Sequence, residues 1–116
     1  MIVSAWAEGL FTPCVSNALL YEYVEVFSSK FSDEGWRYTE PIFAALLTRA
    51  AFVPIDYSWR PSVPDAGDEH VVDCVMNARA VLVTHNLKDF RDAARQLRFE
   101  VMKAPAFAQR LAGDAQ

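Results

Sequence analysis

The chain of 116 residues has a length typical of one domain, and its 53% hydrophobic content with 13% aromatic residues suffices for a buried core. A net charge of −4 argues against general, non-specific binding to nucleic acid, although a local basic patch can coexist with an acidic total. The apolar runs are far shorter than the roughly 20 residues needed to cross a bilayer, and no signal-peptide pattern opens the chain. We therefore expect a single soluble, cytoplasmic domain over residues 1–116.

Helical and strand patterns alternate along the chain. Ser16 stands where an N-cap is expected, before apolar residues at helical spacing. Pro41 is a candidate interruption of the next helix, and Arg79 falls in the last turn of a later helix that opens with acids, as the helix dipole prefers. In order, the predicted elements are a helix in "VSAWAEGL", a strand in "FTPCV", helices in "NALLYEYVEVFSSKF" and "DEGWRYTEPIFAALLTRAAF", a strand end and loop over 52–64, a helix in "DEHVVDCVMNAR", a strand in "AVLVT", a helix in "LKDFRDAARQL", a strand in "RFEVM" and a helix in "PAFAQRLA".

This alternation predicts an α/β domain with a largely parallel sheet. Ligands of open parallel sheets bind beyond the carboxyl ends of the strands, where loops lead into the next helices. Residues 84–89 follow the strand "AVLV" directly, and Asp65 and Asp68 open the antiparallel helix that precedes this strand. We therefore expect the acids at both ends of this unit, including Asp89, to meet at one edge of the sheet.

Two interpretations of these acids remain open at this point. Convergent carboxylates without a basic partner repel one another, and a hard divalent cation such as Mg²⁺ or Mn²⁺ relieves that repulsion. Asp65, Asp68 and Glu69 can equally be acids that stabilise the N-terminus of a helix. Cys14 and Cys74 lie in apolar segments without metal-ligand spacing, so we interpret them as small buried residues.

The chain resembles a known family in two blocks. "PDAGDEHVVDCVMNARAVLVTHNLKDF" resembles the C-terminal half of a PIN domain, the metal-dependent ribonuclease fold of many type II toxin–antitoxin toxins, and "VSNALLYEYVEVF" resembles its first half. The resemblance covers about residues 2–112 and implies a three-layer fold with a largely parallel central sheet flanked by helices. It also implies Mg²⁺- or Mn²⁺-dependent hydrolysis of RNA, a cognate antitoxin as partner, and a homodimer.

The resemblance implies roles for particular residues. Glu22 matches a carboxylate on the helix after the family's second strand, and Asp68 matches the acid that opens the helix before its fourth strand. After the fourth strand the family has a Thr-x-Asp type of pattern, to which "THNLKDF" corresponds with Asn86 in place of the more common Asp. The expected catalytic acids are Glu22, Asp68 and Asp89, the expected metal ligands are these three and Asn86, and the supporting residues are Asp65 and Thr84.

One feature departs from the family pattern. The family begins with a strand that ends in Asp-x-Asn, and no such strand precedes "IVSAWAEGL" in this sequence. The resemblance places that strand between "FTPCV" and "AVLVT", so we expect either that the chain is truncated or that a second chain or a rearranged sheet fills the gap. Because the acid of that strand is lacking, we expect this polypeptide to be a weak or inactive nuclease. The alternative function is a PIN-like module that binds a partner, or its own copy, without cleaving RNA.

Other polar residues near the candidate site are less specific. Lys88 and Arg91 are candidates for contact with the RNA backbone, although a solvated helix face is the other interpretation. His85 is a candidate for contact with a phosphate or for proton transfer, although a loop histidine is more often a hydrogen-bonding spacer, and His70 is expected to be structural or solvated. Asp73 lies about 140° around the helix from Asp68 and is expected to face elsewhere.

Overall fold

The computed structural model describes residues 2–114 and confirms the order of helices and strands that the sequence predicts. The strands are shorter than the sequence patterns indicate, since each is two residues long. Within residues 2–114, no helix has the length and hydropathy needed to span a membrane. In order, the elements are α1 (Ile2–Ala7), β1 (Cys14–Val15), α2 (Asn17–Lys30), α3 (Asp33–Leu47), β2 (Ala51–Phe52), a 3₁₀ turn (Ala66–Asp68), α4 (Glu69–Ala78), β3 (Leu82–Val83), α5 (Leu87–Leu97), β4 (Val101–Met102) and α6 (Ala104–Asp114).

The start of α2 follows the sequence prediction, whereas the expected interruption of α3 is wrong. The Ser16 hydroxyl accepts a hydrogen bond from the Leu19 N–H at 3.3 Å, which makes Ser16 the N-cap of α2. Helix α3 continues through Pro41. Proline removes one helical N–H, but α3 has no fully buried residue, so water can hydrate the carbonyl that loses its partner.

The end of α4 differs slightly from the prediction. Arg79 does not belong to the last helical turn but follows it, with a φ of 54° in the left-handed region. Its backbone N–H donates to the carbonyls of Met76 and Val75, which closes the helix. The chain then turns directly into β3.

The strands form two separate parallel pairs. Strand β1 pairs with β2, with Cys14 opposite Ala51, and β3 pairs with β4, with Leu82 opposite Val101. This arrangement confirms the α/β class with parallel strands and flanking helices. Among the residues described, however, the two pairs are not joined into one sheet.

Helix α4 connects the two halves of the core. Val72 is completely buried and packs with Val75, Leu82 and Phe90 in one cluster, while Cys74 on another side of the same helix packs in a second. Burial of each such aliphatic side chain contributes about 1.5–3 kcal/mol. The clusters therefore hold α4 against both strand pairs. The second cluster consists of Val15, Leu19 and Cys74, with Cys14, Ala50, Val53 and Val71 packed against it.

Candidate active site

A cleft of about 830 Å³ lies between the two strand pairs. Strand β1 contributes Cys14 to its wall, and β3 contributes Leu82 and Val83, so each pair turns its β1 or β3 edge toward the cleft. Polar residues from three places line the cleft. Glu22 lies on the helix after β1, Asp68 directly precedes α4, and Thr84, His85 and Asn86 follow β3; Thr12 and Arg79 line the cleft as well.

The charges at this edge influence one another. The pKa of the Asp68 carboxyl is raised above its ordinary value, first by partial burial and then by the negative charges of Asp65, Asp89 and Glu22, while His70 opposes the shift. The three acids that act on Asp68 come from the preceding turn, from α5 and from α2. Asp68 is therefore subject to negative charge from three separate elements of the fold.

The structure distinguishes the three acids at the start of α4. Asp65 caps the 3₁₀ turn, since its Oδ1 accepts the Gly67 N–H at 2.9 Å. Glu69 is buried, and its Oε1 accepts two backbone N–H groups and one hydroxyl of the preceding loop at 2.6–3.0 Å. Asp68 stands at the N-cap position of α4, but its side chain makes no capping hydrogen bond. Asp65 and Glu69 are thus structural, and Asp68 is left at the cleft.

Glu22 reaches the cleft from α2 and contacts a histidine of α4. The Nε2 atom of His70 lies 2.7 Å from Oε2 of Glu22. The Glu22 side chain is half exposed, whereas the His70 side chain is only 19% exposed. The sequence predicted no role for His70, because no local pattern links residues on two different helices.

The loop after β3 brings two of its three expected residues to the cleft. Thr84 Oγ1 accepts the backbone N–H of Asn86 at 3.1 Å, and both residues line the cleft. The Asn86 side chain makes no capping bond to α5 although it occupies the N-cap position. Asp89 lies in the first turn of α5 and is not among the residues lining the cleft, yet its charge reaches Asp68. His85, for which phosphate contact and a spacer role are the two interpretations of the sequence, also lines the cleft.

Two further expectations concern residues around the site. Lys88 and Arg91 are exposed on α5. Their exposure is compatible with both interpretations, contact with RNA and a solvated helix face. Asp73 faces away from the site, where it is buried and accepts hydrogen bonds from Ser58 at 2.8 Å and Arg60 at 2.7 Å. Asp73 therefore anchors the loop before α4 through its hydrogen bonds to Ser58 and Arg60.

The side-chain oxygens at the cleft are of the chemical types that bind a divalent cation. Carboxylate and amide oxygens suit Mg²⁺, which usually keeps several waters and is held by one or two carboxylates. Glu22 and Asp68 supply two carboxylates, and Asn86 supplies an amide oxygen. Within residues 2–114, no three His, Cys, Asp or Glu side chains are close enough together to hold an ion by themselves. The residues therefore fit a partly hydrated ion rather than a closed protein cage.

Fold and cleft together define an α/β protein with carboxylates gathered at the carboxyl edge of parallel strands. A family model for the PIN domain matches residues 1–88, which include Glu22, Asp68 and Asn86 and stop just before Asp89. The chain belongs to the PIN-domain family. Comparison with curated proteins gave no match, and comparison with solved structures gave none either. PIN domains are nuclease-type domains that generally bind RNA and depend on divalent metal ions.

Proposed function

We propose that this chain is a cytoplasmic, toxin-type endoribonuclease of a type II toxin–antitoxin system that hydrolyses RNA weakly with Mg²⁺ or Mn²⁺, because Glu22 and Asp68 are the two carboxylates that line its cleft among the described residues. The observation that carries this proposal is the state of Asp68, which makes no capping bond and lines one cleft with Glu22 and Asn86. Burial is the first cause of the raised pKa of Asp68, and the negative charges of Asp65, Asp89 and Glu22 add to it; a divalent cation would offset these charges. Membership of the PIN-domain family supports the same class of activity.

Each residue of the site has a distinct task in this proposal. Glu22 and Asp68 would hold the ion with their carboxylates, Asn86 would add a neutral oxygen, and Asp89 contributes negative charge near Asp68. When bound, the ion would supply charge stabilisation at the phosphoryl group and lower the pKa of water. Without a cation, the carboxylates repel the phosphate oxygens of RNA.

Two supporting residues keep the backbone of the site in place. Asp65 closes the 3₁₀ turn directly before Asp68 through its bond to the Gly67 N–H. Thr84 holds the turn that carries Asn86 through its bond to the Asn86 N–H. Both act on the chain beside the site and need no contact with RNA.

The partners follow from charge and family. Lys88 and Arg91 are exposed in the first half of α5 and supply positive charge for RNA phosphates next to the acidic edge. The proposal includes a cognate antitoxin that blocks this face, and a homodimer as the active assembly. The full chain, residues 1–116, acts as one domain.

Cleavage of an unstructured RNA tests the proposal. The wild type should cleave slowly with Mn²⁺ or Mg²⁺ and not with EDTA, and Asp68→Asn and Glu22→Gln should each be at least about 100-fold slower than the wild type. Asp92→Asn is the matched control, because Asp92 is exposed on α5 and contacts only Arg95 among the described ion pairs. Cleavage in EDTA, or full activity of Asp68→Asn, would contradict the proposal.

The open cleft favours a second candidate function, a module that binds an extended protein segment without cleaving RNA. Strand β3 pairs with β4 through the N–H groups of Leu82 and Thr84. Since backbone groups alternate in direction along a strand, those of Val83 point the opposite way, toward the cleft that it lines. Cys14 is in the equivalent position on β1. An inserted strand could therefore pair with both edges.

Peptide binding distinguishes this second function from the first. An apolar peptide of about six residues, the usual strand length, should shift the amide NMR signals of Cys14 and Val83. The same peptide with a central proline lacks one backbone donor and should bind more weakly. Equal binding of both peptides, or no shift at either residue, would contradict strand insertion. Metal-dependent RNA cleavage by the wild type would instead favour the nuclease.

A further inference from the structure

The contact between Glu22 and His70 joins two helices at the mouth of the cleft. Glu22 lies in the second turn of α2, and His70 is the second residue of α4. The two helices pack against each other, and Nε2 of His70 approaches Oε2 of Glu22 to 2.7 Å. The contact is therefore built on two elements that the core already holds together.

The two partners differ in how firmly they are held. The His70 side chain is 19% exposed, and its Nδ1 atom is buried without a hydrogen-bond partner among the described residues. The Glu22 side chain is 49% exposed, so packing does little to restrict it. A contact between the largely buried imidazole and the half-exposed carboxylate therefore restricts the carboxylate. Because Glu22 is so exposed, the pair adds little to folding stability.

The geometry also shows which partner faces the cleft. Glu22 and Asp68 line the cleft, whereas His70 is not among the residues that line it. His70 therefore contacts Glu22 without itself lining the cleft. Its contact uses Oε2 of Glu22 and leaves Oε1 for other partners.

We infer that His70 is a positioning residue, which holds the Glu22 carboxylate at the mouth of the cleft beside Asp68. Glu22 could otherwise swing into solvent from its exposed face of α2. The importance of this contact for metal binding rests on the proposed nuclease function, but the contact itself does not. A donor behind a ligating carboxylate typically changes metal affinity by about 10–100-fold when it is removed.

Two substitutions separate positioning from a merely structural role. His70→Leu removes the N–H donor but keeps an apolar body in the partly buried position. His70→Gln keeps a side-chain N–H that can reach the carboxylate. Arg95→Leu is the matched control, because it removes a cation from another ion pair on an exposed helix face.

Mn²⁺ titration and thermal unfolding give the first readout. We expect His70→Leu to bind Mn²⁺ at least about tenfold more weakly than the wild type, with His70→Gln and Arg95→Leu within about threefold of the wild type. The melting temperatures of His70→Gln and wild type should coincide. If His70→Leu binds Mn²⁺ as tightly as the wild type, or if His70→Gln fails to rescue binding, the inference is wrong.

A metal-free readout separates failure of this inference from failure of the proposed function. The ¹³Cδ NMR signal of Glu22 should shift in His70→Leu and stay near its wild-type position in His70→Gln. If the wild type does not bind Mn²⁺ but this pattern is seen, the metal site is wrong and the positioning of Glu22 stands. If the signal is the same in all three proteins, His70 does not position Glu22.

Discussion

The Nε2 atom of His70 lies 2.7 Å from Oε2 of Glu22, and through this contact the candidate site is tied to the central helix of the fold. Helix α4 carries Val72 and Val75 in the core and has Asp68 directly before its first turn. Glu22 and Asp68 therefore depend on one and the same helix for their positions. A change that shifts α4 should disturb both carboxylates together.

Asp68→Asn should abolish Mn²⁺ binding without lowering stability. Asp68 does not cap α4, and burial and nearby acids raise its pKa in the folded protein above the ordinary 3.8. The ionised carboxylate therefore opposes folding as the pH rises through 3.8, and the neutral variant should gain stability relative to the wild type in that range. Calorimetric Mn²⁺ titration and urea unfolding between about pH 3 and 7 test both parts.

Asp65→Ala is the control for that experiment. It removes the acceptor of the Gly67 N–H, and loss of such a cap costs about 1 kcal/mol. If Asp68→Asn destabilises the protein as much as Asp65→Ala does, Asp68 acts as a helix cap and the distinction between the two acids fails.

Glu69→Gln should lower the stability of the protein at neutral pH, and the stability of this variant should fall less steeply in acid than that of the wild type. Burial alone would raise the pKa of Glu69, but hydrogen bonds from Ser62 and Val63 and the charge of Arg60 outweigh it and keep the pKa below its ordinary 4.5. The ionised group thus stabilises the fold above 4.5, and this contribution is lost as the pH falls through the lowered value. We expect a cost of about 2 kcal/mol near neutral pH.

Urea unfolding at several pH values measures this effect. The difference between wild type and Glu69→Gln should be largest near neutral pH and should shrink in acid. A difference that stays constant from neutral pH into acid would show that Glu69 does not stabilise the fold through its charge.

Asp73→Ala should destabilise the protein and leave Mn²⁺ binding unchanged. Asp73 is buried, and its loss removes bonds to Ser58 and Arg60, at a cost of about 2 kcal/mol. Because Arg60 is half exposed, solvent limits the value of this ion pair. Thermal unfolding and Mn²⁺ titration test the separation of the two roles, and a parallel loss of Mn²⁺ affinity would contradict it.

Charge reversal at Lys88 and Arg91 should weaken RNA binding. The slope of log affinity for RNA against log salt concentration reports the number of phosphates that the protein binds. If both side chains bind phosphates, the double substitution to Glu should reduce the size of this slope by about one for each phosphate that is no longer bound. Arg37→Glu on α3 is a control of the same charge type, since α3 contributes no residue to the cleft among those described. Fluorescence anisotropy at several salt concentrations measures the slope. Because Arg37→Glu reverses one charge and the double substitution reverses two, an effect half as large in Arg37→Glu would show that only net charge matters.

Local signals predicted much of the fold. The spacing of apolar residues and the cap at Ser16 located α2, because capping and helical periodicity depend on neighbours in the chain. Local patterns were wrong at Pro41, where an exposed helix tolerates the missing N–H, and by one residue at Arg79, whose left-handed conformation ends α4. These differences come from solvent exposure and backbone conformation, which the patterns do not contain.

The sequence by itself determined which acids could meet, because the direction of a helix that runs back along a strand follows from the order of the elements. Only the tertiary structure decided that Asp65 caps a turn, that Glu69 is buried in a hydrogen-bonded loop and that Asp68 lines the cleft. It also decided the contact of His70 with Glu22 and the division of the strands into two pairs. The reason is physical: these outcomes depend on competition for donors and for burial between segments far apart in the chain.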